Sequence, residues 1–181
     1  SGETAPTMAK VHRALFERLD AAGMAGSSVP RSRPAGPGPA GPVPAVILDT
    51  PYGFQENADE LSARTLEFFA VSVGRPVAVA SLRSREADAV TLATALARIR
   101  EARYVMAGPG SPSYALRQWA GGPIPIALAA KLAGGGPGGI LAMASAAALT
   151  VGVVTIPVYE VYKVGEEPRW LEGLDLLGPV P

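Results

Sequence analysis

The sequence contains no cysteine and a single histidine, His12. A thiol nucleophile, a redox pair and a zinc site built from Cys and His are therefore excluded, no motif asks for a metal or other cofactor, and oxygen chemistry remains. An excess of either charge is also missing, with Lys+Arg 16 against Asp+Glu 16. Without a net field, the general attraction toward nucleic-acid phosphates or an acidic bilayer is lost, so neither a nucleic-acid partner nor a membrane is expected. No basic segment leads into an apolar signal-like stretch, and a cytoplasmic chain is the expectation. What is present is 181 residues with 48% hydrophobic and 18% charged, the profile of one compact domain. A chain of this size buries about 70% of its unfolded surface, enough for a core without cross-links. Gly 21 and Pro 18 are nearly twice the usual share, so loops and turns occupy much of the length.

Met8, Val11, Leu15 and Leu19 recur at spacings of three and four and predict a helix from about Thr7 to Ala22. A Pro/Gly-rich insertion at 24–44 follows, through which no helix or internal strand can run. Ala45–Leu48 is a short apolar run ending at Asp49, as a strand buried on both faces reads. A helix from about Asn57 to Val73 stops at Gly74, Pro76 to Ser81 is a second strand, Glu86 to Ala102 a helix, and Tyr104–Ala107 a third strand. This β-α-β-α-β order implies a three-layer, flavodoxin-like α/β fold, with a mostly parallel sheet and helices on both faces. Two short helices, Tyr114 to Trp119 and Ile124 to Leu132, precede a turn at Gly134 to Gly139 and a fourth strand, Ile140 to Met143. Ala146 to Val151 reads as a small-residue helix, Val153 to Val164 as an irregular strand, and Arg169 onward as loop or a last helical turn. The uncharged stretch from Gly139 to Ile156 is 18 residues long, but it consists of Ala, Gly, Ser and Thr more than Leu and Phe. A buried strand with its helix explains it better than a membrane span.

Ligands of open α/β sheets gather at the carboxyl ends of the strands, which singles out Asp49 to Asn57, Gly108 to Tyr114 and Ala144 to Ala146. In the last of these an apolar strand meets one hydroxyl residue and a run of tiny residues, the pattern of a nucleophile elbow. Ser145 would then be the nucleophile at a helix start whose amides stabilise an oxyanion; as a bland alternative it only caps that helix. Gly108-Pro109-Gly110-Ser111 lacks the Lys and spacing of a phosphate loop. His12, near the polar border of the first helix, is expected to be a surface or half-buried histidine, yet it would have to serve any Ser-His pair made within these residues.

The succession of a strand, Gly108-Pro-Gly-Ser-Pro-Ser-Tyr-Ala-Leu116, a helix, a Gly-rich turn, a strand and Ala144-Ser-Ala-Ala-Ala148 resembles the class I glutamine amidotransferase-like superfamily. The likeness is to its serine-peptidase branch of aspartyl dipeptidases and cyanophycinases, in an uncharacterised subfamily. In that branch a glycine-rich loop after one strand is followed by a Ser-Ala-Gly-Ala elbow after the next, and Ser145 lies 35 residues after Gly110. The resemblance implies Ser145 as nucleophile, the Ala146 amide and the loop Gly108, Gly110 and Ser111 as the oxyanion hole, and a peptide or amide substrate. Tyr52, Gln55 and Arg117 are the expected substrate contacts, with Arg117 suited to a carboxylate. Met143 and Ala147 stand where the family has glycine, and Ala144 replaces a hydroxyl residue. The family's first strand and its catalytic histidine have no counterpart here. The expectation is thus a partial domain over residues 1–181 that is inactive as given. A non-catalytic module binding a small ligand or partner is the alternative; a structural or interaction protein, whose exposed sheet edges would seek a partner strand, is a third reading, and a homo-oligomer is allowed for.

Overall fold

A computed structural model describes residues 2–25, 44–133 and 139–178. The inserted linker predicted at 24–44 lies almost wholly outside them, as does most of the turn predicted at 134–139.

Four strands form one all-parallel sheet in the order β2-β1-β3-β4: β1 Ala45–Leu48, β2 Ala78–Ala80, β3 Tyr104–Ala107 and β4 Ile140–Met143. The two central strands are buried at every position. That burial explains their unbroken apolar sequence, because a strand covered on both faces has no reason to alternate. Pleating sends Val46, Leu48, Val105 and Ala107 to one face and Ala45, Ile47, Tyr104 and Met106 to the other. Helix α1 (Ala9–Ala25) and helix α2 (Ala58–Glu67), which continues as a π-helical turn over Phe68–Val73, cover the second face. On the first lie α3 (Ala89–Glu101), α4 (Pro112–Trp119), α5 (Pro123–Leu132) and α6 (Ser145–Thr150), packed around the fully buried Trp119, Ile99 and Leu128. The chain reverses direction across the sheet at β1, so its connecting helices fall on opposite faces, as crossovers of one hand require. Three helix–sheet–helix layers result.

The first helix is turned from its expected face. Ala9, His12, Phe16 and Leu19 are buried, whereas Val11 is exposed. Aromatic contact decides the rotation: Phe16 stacks on Tyr104 at 4.5 Å between ring centroids, and the His12 Nδ1 lies 2.6 Å from the Tyr104 hydroxyl. Phe68 and Phe69 complete the cluster around the imidazole. His12 is therefore a core residue and not the surface or half-buried residue expected.

The predicted strand over 153–164 is also corrected. Only Val154–Thr155 is extended, as β5, and Val158–Val164 is helix α7. Val and Tyr favour strands, but tertiary packing overrides local propensity here. Pro157 precedes the first turn, and Gly165 in the left-handed region (φ 77°) ends the helix. Leu171–Glu172, expected as loop or helix, is β6, antiparallel to β5. Beyond it the chain runs alongside residues 150–153, with Leu174 N–H donating to Thr150 (2.7 Å) and Leu176 N–H to Val151 (2.9 Å). No helix among the described residues is long and apolar enough to cross a membrane.

Candidate active site at the carboxyl ends of the strands

The reversal of strand order at β1 opens a crevice between the carboxyl ends of β1 and β3. Loops after β1, β3 and β4 meet there and are tied to one another by backbone hydrogen bonds. Ser111 N–H donates to the Pro51 carbonyl (2.9 Å), and Ala147 N–H to the Gly108 carbonyl (3.2 Å). Gly110 is required at its position: its φ is 136°, and a Cβ there would fall 1.9 Å from the Pro51 oxygen.

Ser145 follows β4 after one residue, Ala144, and begins α6 with φ 50°. A non-glycine residue in the left-handed region carries strain of about 1–3 kcal/mol, held in place only by its surroundings. Ala144, extended at φ −131° and ψ 153°, is the cap position, and no side chain caps the helix. Ser145 is exposed, and its hydroxyl makes no hydrogen bond among the described residues. The helix-capping alternative is thus not how this side chain is used. Behind it Ala146 and Ala147 are buried against α4, where larger side chains would not fit. Neither the Gly110 nor the Ala146 amide has a hydrogen-bond acceptor among the described residues.

The remaining predicted site residues divide. The Ser111 hydroxyl is buried, accepts from Tyr114 N–H (2.9 Å) and donates to Glu160 Oε1 (2.7 Å). It caps α4 instead of facing an oxyanion. Tyr52 is buried with its hydroxyl 3.0 Å from Ser62 Oγ, beneath the β1 loop, which removes it from substrate reach. Burial raises that phenol above its usual range, only partly offset by Ser62. Gln55 is half-buried and its side-chain amide makes no hydrogen bond among the described residues, and Arg117 is exposed on α4. His12 sits at the amino end of β3, across the sheet from Ser145, and cannot act as its base.

The loop that begins at Asp49 was singled out in the sequence, but the role of the Asp49 carboxylate was not, and neither was Glu160. Asp49, wholly buried at the end of β1, accepts from Ser81 Oγ (2.6 Å), Leu82 N–H (2.9 Å) and Arg83 Nε (2.9 Å). All its partners come from the segment after β2, so this carboxylate fastens two loops and has no lone pair aimed at a ligand. Glu160, on α7, receives both the Ser111 and Ser113 hydroxyls on Oε1, while its Oε2 is buried and unpartnered. Burial pushes this carboxyl upward, but the Ser113 and Ser111 hydroxyls, with the Arg117 charge, outweigh it and hold it below the usual range. Its helical setting was hidden by the strand-like Val and Tyr around it. Phe54, Tyr114 and Tyr159 form an aromatic wall beside this pair, with ring centroids 4.9 and 5.2 Å from Phe54. No group of three or more His, Cys, Asp or Glu residues among those described could hold a metal ion.

The fold is similar to that of a solved protein, the crystal structure of a peptidase from an acI-B1 Actinobacterium, with a TM-score of 0.67 and 19% sequence identity. The match covers 98% of this chain and 62% of that one, so the sequence spans under two thirds of that peptidase's length. No family model matches the chain, and neither does any curated protein.

Proposed function

We propose that this chain carries the nucleophile and oxyanion-binding elements of a serine-type hydrolase acting on peptide or amide bonds. The strained, exposed Ser145, at a strand-to-helix turn with a free hydroxyl, is the observation that carries this reading. A serine that merely capped or packed would not need φ 50°. In the proposed reaction Ser145 Oγ attacks the carbonyl carbon, and its proton passes to a base and then to the leaving amine. The Ala146 and Gly110 amides receive the developing oxyanion, and water releases the acyl group in a second step. The fold likeness to a peptidase supports the substrate class. With His12 fixed across the sheet, the base is a group outside this histidine, and residues 1–181 by themselves are expected to react slowly. Gln55, in the loop after β1, and Arg117, whose guanidinium reaches the Ser113 hydroxyl at 3.5 Å, are the proposed substrate contacts.

Reaction of the complete protein with a fluorophosphonate, followed by mass spectrometry, tests the proposal. A single adduct on Ser145 that vanishes in Ser145→Ala is expected; labelling unchanged by that substitution would falsify it. A non-catalytic binding module of the same fold is favoured by one observation, the burial of the Ser111 and Ser113 hydroxyls on Glu160. It predicts no adduct at all.

A further inference from the structure

A second cavity, of about 350 Å³, lies between α4 and the segment leading into β6. Ser113, Leu116 and Arg117 of α4 and Ala120 just past its end line it, and Arg169, Leu171 and Glu172 form the other wall. The volume falls within the range of pockets for small molecules, about 300–1,000 Å³. Its two cations differ. Arg169 is paired with Glu166 at 2.9 Å, whereas Arg117 forms no ion pair among the described residues. Arg117 reaches only the Ser113 hydroxyl, at 3.5 Å, and lies 5.8 Å from the centre of the Tyr114 ring. The Glu160 carboxylate, whose charge Arg117 feels, already holds two hydroxyls. Glu172 on the opposite wall is likewise without an ion pair or hydrogen bond among the described residues.

We propose that this cavity binds a free α-amino acid with an aliphatic side chain. Arg117 takes the carboxylate, Glu172 the ammonium group, and Leu116, Leu171 and Ala120 the side chain. The charges of the two walls select this class. A phosphate or dicarboxylate would set an uncompensated anion against Glu172, a polyamine would meet two guanidiniums, and a neutral apolar molecule would strip water from both charges with nothing in return. This proposal shares Arg117 with the substrate contacts proposed above but does not depend on Ser145 as a nucleophile.

Titration of L-leucine into the whole protein by calorimetry tests it, with fluorescence of the exposed Trp170, between Arg169 and Leu171, as a second readout. Saturable millimolar binding is expected, weakened at least about tenfold in Arg117→Gln and in Glu172→Gln, each with an unchanged circular-dichroism melt. With the unaltered protein, 4-methylpentanoate and 3-methylbutylamine, which keep one charge each, should bind at least about tenfold more weakly than leucine. Ser145→Ala should leave the affinity as it is, which separates this test from that of the hydrolase. Absence of saturable leucine binding, or equal binding of leucine and 4-methylpentanoate, overturns the proposal.

Discussion

Ser145 and Gly110, each in a loop at the carboxyl end of a strand, have opposite backbone logic. At Gly110 the left-handed geometry is free of strain because glycine has no Cβ, whereas at Ser145 the same region of backbone space is occupied by a residue that resists it. Relief of that resistance is measurable: Ser145→Gly should be more stable than Ser145→Ala by about 1 kcal/mol in urea denaturation, since both remove the hydroxyl and only glycine removes the strain. Equal stability of the two variants would mean that the turn is relaxed. Gly110→Ala should lose about 2 kcal/mol or more, because the new methyl group must displace the Pro51 carbonyl as well as accept φ 136°. Asp49→Ala should cost about 2 kcal/mol, since it leaves the Leu82 amide and the Ser81 hydroxyl without their acceptor while Arg83 keeps Asp59; the same denaturation series reads the difference.

Among elements, those with one dominant signal were legible in the sequence. The runs Ala45–Leu48 and Tyr104–Ala107 stand where they were expected, because full burial leaves a wholly apolar strand with no competing pattern. Elements whose placement depends on distant partners were not. The face of α1 was missed since His12 scores as polar, and its bond to Tyr104, 92 residues away, together with the Phe68 and Phe69 rings, makes it core. Ser145 could be found from its small neighbours, but its angle could not, because strain is a property of the folded surroundings. Glu160 was invisible for the reason that α7 was: valine and tyrosine argue for a strand until α4 supplies a surface for the helix. The Glu160 carboxyl is held below its usual range in the folded state, so its stabilisation is complete at neutral pH and is lost as pH falls through the depressed folded value. Glu160→Gln should therefore flatten the acid limb of a stability-against-pH curve. An unchanged acid limb would show that the two serine hydroxyls do not favour the charged form.

At the scale of the whole molecule, the sheet of β2, β1, β3 and β4 is continuous, and its two central strands exclude solvent from both faces. Native-state hydrogen exchange should follow that arrangement, with amides of β1 and β3 slowest and those of β5 and β6 orders of magnitude faster. Comparable rates in the two sheets would contradict it. The span after β6 bears on when the site takes shape. Residues 173–176 lie beside 150–153, so α6 is anchored at its start through Gly108 and just past its end by the latest-made part of the described chain. During synthesis the three layers can close while that stretch is still within the ribosome, and the turn bearing Ser145 acquires its second anchor last.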